Sequence, residues 1–247
     1  MTTAGRWVSI QLYYDFHFHS CLSPCGDEAM TPATVAGMCK LSGLDVAALT
    51  DHNTCGNCPA FCEAAEAYGL LAIPGMELCT LEEVHVVCLL PDLERAMAFQ
   101  AEVYRRMDGR ANDPAIFGRQ LLMDADDHVV GEEERLLSGA TTIGVYEAAG
   151  LVESFGGVAY PAHIDRNSFS LLSNLGLWDP SMGFPLAELS RRCPPDFTRA
   201  RRDLRGVGTV SGTDAHYIHQ IGQAEQSMEV PARSRAAVLA WLRRGGR

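Results

Sequence analysis

Residues 10–19 read IQLYYDFHFH, a short apolar and aromatic run that closes on two histidines. The composition of 10–16 is that of a buried β-strand, and side chains two residues apart on a strand share a face. His17 and His19 can therefore chelate together. The same spacing recurs near the other end of the chain, where Asp214 and His216 close SGTDAH.

Outward from that run, stretches at 45–49 (DVAAL), 70–74 (LLAIP), 84–90 (VHVVCLL), 157–161 (GVAYP), 186–190 (LAELS) and 207–211 (VGTVS) read as further short buried strands. Helix patterns fill the intervals at about 58–68, 93–107, 142–154, 197–204 and 233–243. The clearest helix opens with Thr31 as N-cap and Pro32 at the first helical position, and stops at Gly43. This alternation predicts an α/β architecture with a parallel sheet, closed or open. Residues 108–140 are polar and acidic and break the rhythm; within them QLLMDADDHVV predicts a hairpin turning at Ala125, Asp126 and Asp127. Setting that insertion aside leaves chain for a barrel of about seven strand–helix units rather than eight. The expected organisation is one domain over 10–247 with a small subdomain inserted at 108–140.

Twenty Lys and Arg against 31 Asp and Glu give a formal charge of -11, which argues against broad binding to a nucleic-acid backbone. Nine cysteines in a chain of this size point to a reducing compartment. The first twenty residues, MTTAGRWVSIQLYYDFHFHS, lack a basic-then-apolar leader, and no run approaches the ~18 apolar residues of a membrane span. A cytoplasmic protein without membrane association is the expectation.

Six of the eight histidines fall at or near the C-terminal ends of predicted strands. After His17 and His19, His52 follows the second strand, Glu77 the third, His85 lies in the fourth, and His163, Asp214 and His216 end later ones. Strand ends of a parallel sheet converge on one rim, where sites form in this architecture. Imidazoles mixed with carboxylates suit zinc, iron or manganese, and a carboxylate can bridge two ions. A single strand-end histidine is more often a hydrogen-bonded core or surface residue, and His85 alone would be read that way. Five strand ends independently carrying His, Asp or Glu point instead to a metal centre. Cys55, Cys58 and Cys62 form CxxCxxxC without an evident fourth thiolate, so they read as packing or bystander thiols, and His128 and His219 read as nonligands.

In order, HxH at 17–19, TDHN at 50–53, PGxE at 74–77, the strand His85, PAH at 161–163 and GTDAH at 212–216 resemble the polymerase and histidinol phosphatase (PHP) superfamily. The resemblance covers nearly the whole chain, from Tyr13 to His216. HxH alone would be weak; the ordered set is specific. The resemblance implies a distorted (β/α)7 barrel with a trinuclear centre of two to three divalent ions, zinc, iron or manganese, that hydrolyses phosphate esters. Carried onto this chain, it puts His17, His19, Glu77 and Asp214 on one ion, with Glu77 bridging to a second held by His85 and His163. His52 and His216 would hold a third. The remaining ligand of that third ion lies in the loop SCLSPCGDEAMTP, which is longer than the family's usual pattern. Counting back from Thr31 and Pro32 selects Asp27, while counting forward from His19 selects Pro24, which cannot bind. Asp27 is the choice, with Cys25 and Glu28 as alternatives.

A water between bridged ions has a lowered pKa and can attack phosphorus, which places the catalytic weight on Glu77. No GxSxG elbow offers a separate nucleophile, and GVGTVSG lacks the dinucleotide fingerprint. Arg166 in PAHIDR either clamps a phosphate or pairs at the surface, and Asp51 either orients a ligand imidazole or caps the next helix. The leading expectation is a phosphoesterase for a small phosphorylated substrate such as a nucleotide or sugar phosphate. A nuclease trimming nucleic-acid ends would need a basic track. An amide, carbamate or ester hydrolase could use the same water. A non-enzymatic metal-stabilised module would show degenerate ligand positions, and every expected position here is filled.

Overall fold

The computed structural model describes residues 9–247. In chain order it contains β1 (Ile10–Phe18), α1 (Pro32–Leu41), β2 (Val46–Leu49), α2 (Cys58–Ala67), β3 (Leu71–Cys79), β4 (His85–Leu89), α3 (Leu93–Arg105) and α4 (Pro114–Phe117). There follow β5 (Leu121–Met123), β6 (Val129–Glu132), α5 (Val145–Ser154), β7 (Val158–Pro161), α6 (Leu171–Asn174), β8 (Leu186–Ser190), α7 (Phe197–Ala200), β9 (Gly208–Gly212), β10 (Ser227–Val230) and α8 (Arg235–Arg243).

Six strands pair in the order β10, β1, β2, β3, β4, β7, and β8 pairs with β9. Ile164 N–H donates to the Glu188 carbonyl of β8, and His19 N–H donates to the Ala215 carbonyl beyond β9, at 2.9 and 3.0 Å. Those bonds bring the β8–β9 pair between β7 and β1, so the sheet curls into a distorted barrel with its ladder broken on either side of the pair. The central strands β2, β3, β4 and β7 are buried on both faces, as such a sheet requires. Tyr14, Phe16, Val46, Ala48 and Ile73 pack with Val238, Leu239 and Leu242 of α8. Phe18, Ala47 and Leu49 pack with Val35, Ala36 and Phe61 of α1 and α2.

The predicted parallel sheet needs one correction. Only residues 80–84 join β3 to β4, too few for a crossover. Thr80 N–H bonds the Val84 carbonyl at 3.0 Å, and Glu83, at φ 57°, lets the chain reverse. β4 therefore runs antiparallel to both β3 and β7, with Cys79 opposite His85. This reversal puts the first residue of β4, His85, on the rim where the other strands end. β3 is also longer than its apolar run, so Glu77 lies within the strand. β10, absent from the predicted set, is a four-residue antiparallel edge on β1.

The start of α1 differs too. The Thr31 side chain accepts no bond from the helix; the Asp127 carboxylate, at the tip of the β5–β6 hairpin, accepts from the Ala33 and Thr34 amides at 2.9 and 3.2 Å. The hairpin also grips the loop after β1, since Leu121 N–H donates to the Cys21 carbonyl at 3.0 Å.

Candidate metal centre

At the rim, the Glu77 carboxylate is the hub. Its Oε1 lies 3.2 Å from His17 Nε2, 3.2 Å from His163 Nε2 and 3.0 Å from His85 Nδ1. Its Oε2 lies 3.2 Å from His19 Nε2 and 3.1 Å from His52 Nδ1. Asp214 Oδ1 faces the same two nitrogens of β1, 3.2 Å from His17 and 3.0 Å from His19. Three overlapping groups result, each with its donor atoms within 4.8 Å of one another: His17, His19, Glu77 and Asp214; His52, Glu77 and His85; and His19, Cys25, His52 and His216.

Asp27, the register choice for the last group, is not brought there. It is exposed, its Oδ1 accepts from the Ala29 amide at 2.9 Å, and the loop brings the sulfur of Cys25, itself an exposed residue, to the group instead. Glu28 is likewise exposed and outside the cluster. Among the described residues no such group contains Cys55, Cys58 or Cys62, and the first two donate their thiols to the Gly75 carbonyl. His128 is exposed beside Asp124 on the hairpin. Arg166 is paired with Asp214 at the cavity edge.

The tautomers follow from the hydrogen bonds. His17 Nδ1–H donates to the Glu188 carboxylate at 2.9 Å, which leaves Nε2 as the atom available to a cation. Ser23 donates its hydroxyl proton to Asp51 at 2.7 Å, which leaves its oxygen to accept from His19 Nδ1 at 2.9 Å. Asp51 also accepts from the Ser20 amide and hydroxyl, so its influence reaches His19 through Ser23 and it is a positioning residue. His216 Nδ1 donates to the Asp214 carbonyl at 2.9 Å. The sequence pattern singles out neither Glu188 nor Ser23. An acid inside the apolar strand LAELS was the available signal for the first.

Charge is distributed accordingly. Burial opposes ionisation of Glu77, yet His85, His17 and His52 hold it well below the carboxylate range, and His17 and His19 do the same for Asp214. Burial also opposes charge on the imidazoles. Glu188, Asp214 and Glu77 outweigh it at His17, raising that pKa, and nearby acceptors push His19 and His52 up to about 9. At His216 burial and His19 win, and the pKa falls to about 3.

This donor set fits divalent cations. With both Nδ1 atoms already engaged, the Nε2 atoms of His17 and His19 lie 3.3 Å apart and both face carboxylates, so a cation can take the place of the protons these imidazoles hold without it. Glu77 Oε2, Asp214 Oδ1, His52 Nδ1 and His163 Nδ1 are buried without a hydrogen-bond partner, and such atoms normally have one.

Residues 15–129 match the PHP domain family model. That match runs from Asp15 on β1 to Val129 on β6, a little under half of the chain. No curated protein sequence matches it. Among solved structures, the PHP fold of this chain is similar to the lesion-specific endonuclease PfuEndoQ from Pyrococcus furiosus, with a TM-score of 0.70 and 16% identity over 95% of this chain. The chain spans 56% of that protein's length. It is similar to a protein described as a metal-dependent phosphoesterase from Bifidobacterium adolescentis, with a TM-score of 0.61 and 19% identity over 94% of this chain and 96% of that one. An amidohydrolase from Chromobacterium violaceum, solved with bound sulfate and no metal, gives 0.55 and 21% over 90% and 93%. At these identities the likeness concerns the fold, a PHP-like barrel.

Proposed function

We propose that this chain is a metal-dependent phosphoesterase that hydrolyses a small phosphorylated molecule. The observation that carries the reading is the Glu77 carboxylate, within about one hydrogen-bond length of five imidazoles, beneath a cavity of about 200 Å³ that Arg166 also lines. The donor chemistry suits two to three ions of zinc, iron or manganese. When bound, such ions acidify a water and neutralise phosphoryl oxygens. Glu188, Ser23 and the Asp214 carbonyl hold the ligand imidazoles in the tautomer that keeps a lone pair inward. Arg166 spends one guanidinium nitrogen on Asp214, and its planar fork suits the oxygens of a phosphate seated above the cluster. Phe169, half exposed and stacked on His85 at 4.8 Å, walls the same cavity.

A nuclease reading draws on the likeness to PfuEndoQ, but the net charge of -11 opposes it. The deciding experiment loads the protein with manganese, iron or zinc. It then compares phosphomonoesters, phosphodiesters, abasic and intact oligonucleotides, and carboxylic or carbamate esters. Small phosphate esters turn over first, chelation abolishes the activity, and metal restores it. A clear preference for oligonucleotides, esters or carbamates refutes the reading.

A further inference from the structure

Beside the histidine cluster lies a second cavity, of about 810 Å³, which shares Arg166 and Asp214 with the smaller one. In a chain of net charge -11, three arginines line it: Arg166 after β7, and Arg191 and Arg192 directly after β8. Its two acidic wall residues are already engaged. Asp165 accepts from the Ser190 amide and hydroxyl at 2.7 and 2.6 Å, and Asp214 faces the imidazoles and Arg166. Arg191 is held in place, with Nη2 3.7 Å from the buried Asp15 carboxylate and 3.4 Å from the Gln223 carbonyl. The Arg192 guanidinium has no acceptor among the described residues; only its backbone amide is bonded, to Ser190. An unpaired guanidinium beside a pre-positioned one, in a concave pocket, is an arrangement that recognises an anion.

We infer that Arg191 and Arg192 bind a second phosphate of the substrate, so that the preferred substrate is a small molecule carrying two phosphates, one over the histidine cluster and one in the arginine pocket. The inference rests on the phosphoesterase reading for the first phosphate. A dianionic phosphate offers three oxygens to two planar forks, whereas a nucleic-acid strand would need cationic surface continuing beyond the pocket.

A chemical ruler tests this on the metal-loaded protein. Alkanediol bisphosphates of increasing chain length are compared with monophosphates of the same diols. The best bisphosphate exceeds its monophosphate in kcat/KM by about tenfold or more, the value of one charge-assisted contact, and the preference peaks at one chain length. In Arg192→Ala the ratio falls toward one, and Arg192→Lys retains part of it. Calorimetric binding of nonhydrolysable alkane bisphosphonates and monophosphonates follows the same pocket without turnover. Failure of the phosphoesterase chemistry would therefore appear as bisphosphonate preference without hydrolysis. Equal binding of the two phosphonate series, or a preference that survives Arg192→Ala, overturns the inference. An Arg192 effect confined to oligonucleotides overturns it as well, in favour of a nucleic-acid strand.

Discussion

His17, His19, Glu77 and His85 project from or directly follow the laddered strands β1, β3 and β4, whereas His163, Asp214 and His216 stand on segments beyond β7 and β9, where the ladder is broken. His163 and Asp214 hold φ of 31° and 51°, in the left-handed region that side chains other than glycine seldom adopt, while the first four residues do not. The arginine cavity opens on this second side alone, next to Asp214. Strained backbone persists where surrounding structure enforces it, often at functional sites. Under the proposed function, one half of the rim is a stiff template for cations, and the other carries the loops that would meet substrate.

The largest effect belongs to the residue at the centre of the template. Glu77→Gln keeps the shape but removes the charge that five imidazoles share, so it should lose at least one ion and reduce kcat/KM by on the order of 10²–10³-fold. Elemental analysis and steady-state kinetics measure this. Parental activity in the variant would dismantle the template half of the comparison.

Glu188→Gln should cost about 10- to 100-fold in metal affinity, the range for residues that orient a ligand from behind. A metal titration reads it. An unchanged affinity means that β8 only supports the rim and does not set the His17 tautomer.

Cys25 and Asp27 sharpen the comparison where the first-half loop meets His216. Cys25→Ser should weaken one ion by about tenfold while the group around Glu77 stays occupied, and Asp27→Asn should change no occupancy. Anomalous scattering at each site decides between them, and the reverse pattern returns the ligand to Asp27.

The smallest expected effect is a pH dependence. In metal-stripped protein, His19 and His52 have pKa values raised to about 9, so the stability they contribute is complete below pH 6.5 and is lost as pH rises through 9. The Tm of stripped protein should fall over that window, by roughly 2–4 °C for each kcal/mol lost. Metal-loaded protein should show the opposite trend, because metal competes with those protons. Thermal scans with and without chelator test the pair of signs, and parallel curves refute the assignment.

The residues that converge on Glu77 are legible in the sequence, because strand period and strand ends are local properties. His17 and His19 share a face by spacing alone, and the apolar runs around them mark where strands stop. His85 was legible as a candidate, although the reason it reaches the rim was not: the five-residue link from β3 reverses the strand. Asp127 was invisible as the cap of α1, being 94 residues from the amide of Ala33 that it accepts.

Sequence by itself determined the α/β alternation, the ordered ligand types and the acidity that disfavours a nucleic-acid backbone, since these follow from periodicity, composition and neighbours in the chain. Tertiary structure alone decided that Cys25 and not Asp27 comes within reach of the imidazoles, that Glu188 lies behind His17 from 171 residues away, and that Arg166, Arg191 and Arg192 wall one cavity. The physical reason is that a buried polar group must find its partner wherever the packed chain brings one. Chain distance carries no information about which partner that is.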